Sequence, residues 1–212
     1  MRYNMTTTIW HKKTIEEYLT ALGSKSETPA GGVQAAFIGA QACAMACMSV
    51  QFTLSNKKYN DLHPKAALWL ETLQLAQSTM LDLMQKDSRC FTKAMEIWQL
   101  PKETENRKEK MQEGFRLALH APKLMVQTMI NMYPIFKEII LEGNVNLVSD
   151  SLIAGECAVT ATISALLNVK INTIYISDNC EKEKLQAAII DWEKQAEQFS
   201  IFLKKQRETR FR

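Results

Sequence analysis

The carboxylate at position 87 sits in an unusual place. Leu73, Ala76, Met80, Leu83, Asp87, Cys90 and Ala94 advance by threes and fours, so Asp87 falls inside the apolar stripe of a helix. A carboxylate on such a face must meet a cation, be satisfied by hydrogen bonds, or hold its proton to higher pH. The last case suits general acid/base work near neutrality. The first two describe a structural residue, paired with an arginine or capping a neighbouring helix. Residue types alone leave both readings open.

A second unusual face starts at Asp150. Alternating steps of four and three reach Ala154, Cys157, Ala161, Ser164, Asn168 and Asn172, all small or polar. Such a face lines a crevice, or it lets two helices pack closely with capping residues at each end. Just upstream, Gly143 is expected to end a helix with positive φ, and Ser149 and Asp150 suit the first turn of the next. Lys57, Lys58 and Tyr59 offer two ammonium groups and a phenol at a helix end. They would hold an anionic ligand tail, or form a solvated loop. Gly31-Gly32 ahead of a helix lets backbone N–H groups approach a ligand, which alone is a weak signal.

These residues need elements to hold them, and the chain reads as helix almost throughout. Glycine (7) and proline (5) are scarce among 212 residues, a length that fits one domain with a sizeable core. Expected helices run from about Thr14 to Leu22, from just after the Ser24–Gly32 loop to Leu54, from Pro64 to Leu100, and from Thr104 to Leu141 with kinks at Pro122 and Pro134. Two more run from Asp150 to Asn168 and from Glu181 to Arg207. In the first, Ile15, Tyr18, Leu19 and Leu22 share a side. Val169 to Ile176 alternates weakly and is expected to be extended. The fold class is all-α: one antiparallel helical bundle of about five to six helices, forming a single domain over residues 1–212.

Charge excludes some functions. The net charge is +3, and basic residues are interleaved with acids, which does not make a nucleic-acid footprint. The stretch from Ala35 to Ser55 carries no charge but contains Gln41, Ser49, Gln51 and Thr53. It is read as a buried small-residue helix rather than a membrane span, and a membrane-associated protein is the reading it would otherwise favour. Its Gly39, Ala40, Ala42, Ala44 and Ala46 offer apolar surface for a homodimer or larger homo-oligomer. Met1 to Lys13 lacks the apolar core of a signal peptide. The five cysteines include no C-x-x-C pair, and reduced thiols in the cytoplasm are expected. No metal site is read: Cys43 and Cys47 share a helical face without a nearby histidine.

Taken together, the motifs resemble the cyclodeaminase/cyclohydrolase family of folate one-carbon enzymes. The family pattern G-N-x-N-x-x-S-D is met by Gly143, Asn144, Asn146, Ser149 and Asp150, and N-V-x-I-N by Asn168, Val169, Ile171 and Asn172. Lys57-Lys58-Tyr59 matches a basic-basic-aromatic element, and Asp87-Ser88-Arg89-Cys90-Phe91 matches D-A-x-A-F. Leu100-Pro101-Lys102 and Gln112-Glu113-Gly114 match the L-P-K and Q-E-G elements. Three departures stand out. Pro29-Ala30-Gly31-Gly32-Val33 replaces P-G-G-G-S, Gln85 stands where many members have Asp, and the segment between Pro101 and Gln112 is about a turn short. If the first of those glycines needs positive φ, Ala30 is strained, and Val33 removes a hydroxyl from the ligand site.

The resemblance implies a tetrahydrofolate one-carbon enzyme. It would hydrolyse 5,10-methenyl-tetrahydrofolate to 10-formyl-tetrahydrofolate, or close 5-formimino-tetrahydrofolate with loss of ammonia. Asp87 takes the place of the acid/base. Asp150, with Asn144, Asn146, Asn168 and Asn172, would orient the folate or the attacking water. Gly31, Gly32, Lys57, Lys58, Tyr59, Gln112 and Ser149 would complete the substrate site, with the two lysines on the glutamate carboxylates. No cofactor is implied. The alternative is a catalytically degenerate helical module of the same fold that binds folate or assembles with a partner, and the altered loop at Ala30 and Val33 favours it.

Overall fold

The computed structural model describes residues 8–210, and among these there is no strand. Six α-helices follow one another: α1 Ile15–Leu22, α2 Gly31–Leu54, α3 His63–Trp98, α4 Arg107–Glu142, α5 Val148–Ile174 and α6 Asn179–Arg210. Short 3-10 turns at Trp10–Lys12, Lys57–Leu62 and Val145–Leu147 lead into α1, α3 and α5. The expected bundle is present, with α5 longer than anticipated. Val169 to Ile176 is not extended, because α5 continues to Ile174. The amide of Asn172 donates to the Asn168 carbonyl at 2.8 Å and the Thr173 hydroxyl to the Val169 carbonyl at 2.7 Å. Bonds back to the carbonyl four residues earlier satisfy these polar side chains on the helix, which the weak alternation did not reveal.

Local chemistry explains the helix ends. Thr14 and Glu17 form a reciprocal capping box at the start of α1. Only Tyr18 of that helix is buried. Leu22 packs partly buried against the core beside it, while Ile15 and Leu19 remain exposed, so the apolar side expected there meets the core only at Tyr18 and Leu22. Pro64 occupies the first turn of α3, where its missing N–H has no helical partner to lose. Gly143 ends α4 in extended backbone (φ −68°, ψ −176°), not at positive φ. Glycine is needed there for space: a Cβ would lie 2.5 Å from the Ile139 carbonyl oxygen.

α2, α3, α4 and α5 make the bundle, each packed on its two neighbours in a ring, and α6 lies along α5 and α4. Met80, Met84, Met125 and Met129 fill the centre. α2 is the packing hub, as its composition predicts: Gly39, Ala40, Ala42 and Ala46 are buried between α3 and α5. A Cβ on Gly39 would meet the Met80 methyl at 2.3 Å. α2 and the span Val145–Ile174 are both long and apolar enough to cross a membrane by composition, yet more than half of each is buried inside the bundle. Gly39, Ala40, Ala42 and Ala46, read from the sequence as oligomer surface, are thus covered within the chain, and Ala44 is half-buried.

Candidate active site

Asp87 lies at the floor of a cleft of about 390 Å³ where the N-terminus of α2 meets α3, α4 and the end of α5. The walls are Thr28, Ala30 and Gly32 from the loop and start of α2, and Phe91 and Trp98 from α3. Phe115, Ala118 and Pro122 come from α4, and Asn168, Ile171, Asn172 and Tyr175 from α5. That volume is within the range of small-molecule sites. The Asp87 carboxyl rests on the Gly32 backbone. A Cβ built on Gly32 would lie 2.3 Å and 2.4 Å from its two oxygens, so no other residue type fits there without moving the acid.

Asp87 has no cation and no hydrogen-bond donor of its own among the described residues. Neither the arginine partner nor the helix-capping bond of the structural alternative is present among them. Burial pushes its carboxyl up from the ordinary 3.8 to about 7. A group titrating there can both take and return a proton near neutrality. The positive end of α2 faces it, which keeps the ionised form accessible.

Around the acid are free polar groups of both kinds. Gln34 is the first amide of α2 bonded back into the helix, to the Ala30 carbonyl at 3.0 Å, and Ala30 offers no side-chain cap. The N–H groups of Gly31, Gly32 and Val33 are thereby left open at the helix start. Asn168 and Asn172 spend their amide N–H on the Ser164 and Asn168 carbonyls, at 3.0 Å and 2.8 Å, which leaves their side-chain oxygens as acceptors on the cleft wall. A Cβ on Gly31 would be 3.8 Å from the Asn168 amide nitrogen, so the glycine loop and the asparagines share one wall. Pro122 has no N–H to return to the Ala118 carbonyl, and both residues line the cleft.

The remaining wall is an aromatic ladder. Phe91 meets Trp98 edge-on at 6.2 Å, Trp98 meets Phe115 at 5.2 Å, and Phe115 stacks on Tyr175 at 4.8 Å with planes 10° apart. The indole N–H of Trp98 is buried without a partner, and a Cβ on Gly114 would crowd it at 2.8 Å. Sequence reading reached this face only at Phe91. Trp98 follows Asp87 by eleven residues, a spacing that keeps both on one side of α3 and could have been read. Phe115 and Tyr175 carry no such signal.

The structure divides the expected site residues. Asp87, Gly31, Gly32, Asn168 and Asn172 come together. Asp150, Asn144, Asn146, Ser149, Lys57, Lys58 and Tyr59 gather at the opposite end of the bundle, about 27 Å away along α5 (from Asp150 to Asn168) and about 36 Å along α2. The single crevice from Gly31 to Asp150 is therefore not formed within one chain. At that far end Asn144 ties a corner: its N–H donates to the Thr53 hydroxyl at 3.0 Å, and its side-chain oxygen accepts from the Asn146 N–H at 3.1 Å. The Tyr59 phenol accepts from the Val145 N–H at 2.9 Å, and the Ser149 hydroxyl reaches Asp150 at 3.4 Å. Lys57 and Lys58 are exposed. Gln112 lies outside the cleft and clamps the α5–α6 connection, donating to the Tyr175 carbonyl at 3.0 Å and accepting from the Ser177 N–H at 2.8 Å.

Of the small stripe on α5, Ala154 and Ala161 are fully buried in helix packing, and only its Asn168–Asn172 end lines the cleft. The altered loop carries no backbone strain at Ala30. Ala30 is extended (φ −134°, ψ −166°), a conformation open to any residue, and Val33 is buried in the core rather than facing the cleft.

A family model described as formiminotransferase-cyclodeaminase matches residues 14–190. The chain belongs to that family. Among family relatives, the methenyltetrahydrofolate cyclohydrolase of Methylorubrum extorquens is 29% identical over 176 residues, covering 81% of this chain and 85% of that protein. The mouse formimidoyltransferase-cyclodeaminase is 28% identical over 171 residues. The match covers 79% of this chain but 32% of the mouse protein, so the chain corresponds to about a third of that longer relative. A crystal structure of formiminotetrahydrofolate cyclodeaminase from Thermotoga maritima superposes with a TM-score of 0.86 at 27% identity, covering 94% of this chain and 98% of its own. The all-α bundle is thus the formiminotransferase-cyclodeaminase family fold.

Proposed function

We propose that this chain is a tetrahydrofolate one-carbon enzyme whose acid/base is Asp87. One observation carries the reading: a carboxyl without a partner, raised to about 7, sits at the floor of an aromatic-walled cleft in a chain of this family. In the hydrolytic direction the cleft holds the 5,10-methenyl cation, with flat rings against Phe115 and Tyr175. Asp87 takes a proton from water as its oxygen bonds to the carbon between N5 and N10. The tetrahedral carbon then loses its bond to N5, which receives the proton back, and the 10-formyl product forms with one proton released overall. In the cyclising direction N10 attacks the formimino carbon and its proton passes to the imino nitrogen; protonated Asp87 supplies the second proton, and that nitrogen departs as ammonia, leaving the methenyl cation. Ionised Asp87 and the oxygens of Asn168 and Asn172 favour the cation in both cases. The proposal requires no metal or redox cofactor. Following the methenyl absorbance in both directions, with and without formimino substrate, tests the reading and distinguishes the reactions. No change in either direction would overturn it. The ordinary backbone at Ala30 and the buried Val33 favour this reading over the degenerate module.

A homodimer and a reducing, cytoplasmic setting complete the proposal. α5 leaves Ile153, Ile163, Leu167, Ile171 and Ile174 about half or more exposed along one line, and Ile171 also lines the cleft. Two α5 helices packed antiparallel about Ile163–Ser164 set Ile153 of each beside Ile174 of the other, and Thr160 beside Leu167. The same pairing carries Asp150 of a second copy level with Ser177, next to the cleft mouth, and would reunite the two groups of site residues. The five cysteines are free thiols, with Cys43 and Cys47 buried.

A further inference from the structure

On the face of α3 turned away from Asp87, a second cavity of about 550 Å³ is bounded by the Trp10–Lys12 turn, α3 and Leu117 of α4. Asp82, Gln85, Lys86, Arg89 and Lys93 contribute from α3, at spacings that stack them on one side of the helix, and Lys12 faces them from the turn. Trp10 fixes that turn by donating its indole N–H to the Ser88 hydroxyl at 3.4 Å. Four cations thus meet one carboxylate. None of the four has an ion-pair partner among the described residues, although Lys13, Lys65, Arg116, Lys170 and Arg207 all do. Like charges stacked along a helix face repel one another, so this cluster opposes the fold unless an anion joins it.

Two buried groups independently mark the place as a ligand site. Gln85 lines the cavity at 6% exposure, and neither its amide nitrogen nor its oxygen has a partner. His11 lines it too, with a buried ring nitrogen left unpaired. A buried amide without hydrogen bonds is costly, and a water, an ion or a ligand polar group in the cavity would offset that cost. Burial, and then Asp87, hold the Cys90 thiol above its ordinary value, against a smaller opposing pull from the Lys86 and Lys93 ammonium groups.

We propose that this cavity binds a compact polyanion, a ligand with two or more oxyanion groups. Lys12, Lys86, Arg89 and Lys93 hold its charge, and Gln85 supplies a neutral hydrogen-bonding floor. A polyphosphate and a polycarboxylate share this chemistry.

Calorimetric titration and thermal melts of the full chain with tripolyphosphate and with citrate test the assignment. Saturable one-site binding of at least one probe is expected, with a rise in melting temperature. The double variant Arg89→Gln/Lys93→Gln should weaken it by about tenfold per cation removed. Lys204→Gln/Lys205→Gln, with the same loss of charge on α6, should change it less than twofold. Gln85→Leu should weaken binding and, without anion, raise the melting temperature, because an unpaired amide has been removed from a buried site. Binding of tripolyphosphate alone identifies a phosphate ligand, citrate alone a polycarboxylate, and both a site that reads charge only. Absence of saturable binding by either probe overturns the proposal, as does equal weakening by the α6 pair.

Discussion

Replacing Asp87 by Asn separates proton transfer from structure because the structure predicts opposite signs for the two. Asp87 has no partner to lose. Its carboxyl is raised from 3.8 to about 7 by burial, so between those values the folded chain holds a proton that the unfolded chain has released. Stability therefore falls as pH climbs through that window, by at most about 4 kcal/mol at 1.36 kcal/mol per unit, and is flat above it. Water in the cleft lowers that ceiling. Asn carries no such penalty, so D87N should melt higher than the wild type at pH 8 and match it near pH 4. Turnover should move the other way, down by about 100-fold or more, because the proton carrier is gone. Both are read on the same samples: melting temperature from pH 4 to 8, and decay of the methenyl absorbance. The wild-type rate should also show an inflection near pH 7 that the variant lacks. A variant that is less stable at pH 8 but equally active per folded molecule would refute the reasoning and make Asp87 a structural ion.

Gly32→Ala should displace the Asp87 carboxyl, since its Cβ would lie 2.3 Å from an oxygen, and turnover should drop at least tenfold at a stability cost of about 1–3 kcal/mol. Phe115→Ala or Tyr175→Ala should raise KM several-fold with a smaller effect on kcat, from loss of about 0.5–1.5 kcal/mol of stacking, as steady-state kinetics would show. Thr53→Val leaves the buried Asn144 N–H without its acceptor and should cost about 1–3 kcal/mol in denaturant titration. Leu167→Glu should convert the proposed dimer to monomer in light scattering; a wild-type mass of one chain at micromolar concentration would remove the dimer.

The helical architecture was legible in the chain because helices follow local rules. Scarce Gly and Pro, the 3.6-residue repeat, Pro64 in a first turn and the small residues of α2 each act within a few residues of themselves, and they placed six helices and their order. Asp87 was legible for the same reason, as a carboxylate in phase with an apolar stripe. What its neighbourhood contains was not. Whether it met an arginine, a helix end or nothing depends on α2 and α5, which bring Gly32 to its carboxyl and Asn168 to the same cleft from 55 and 81 residues away. Only tertiary packing put Gly32 under its carboxyl and left it unpaired. Motifs contiguous in sequence also misled about proximity. Asp150 and Asn168 share a helix face, but a helix rises about 1.5 Å per residue, so eighteen residues of shared face become a separation of about 27 Å. The sequence alone determined which residues are chemically unusual and which helices carry them. The tertiary structure alone decided which of them meet, because contact between distant helices is settled by how their side chains pack and not by any spacing along the chain.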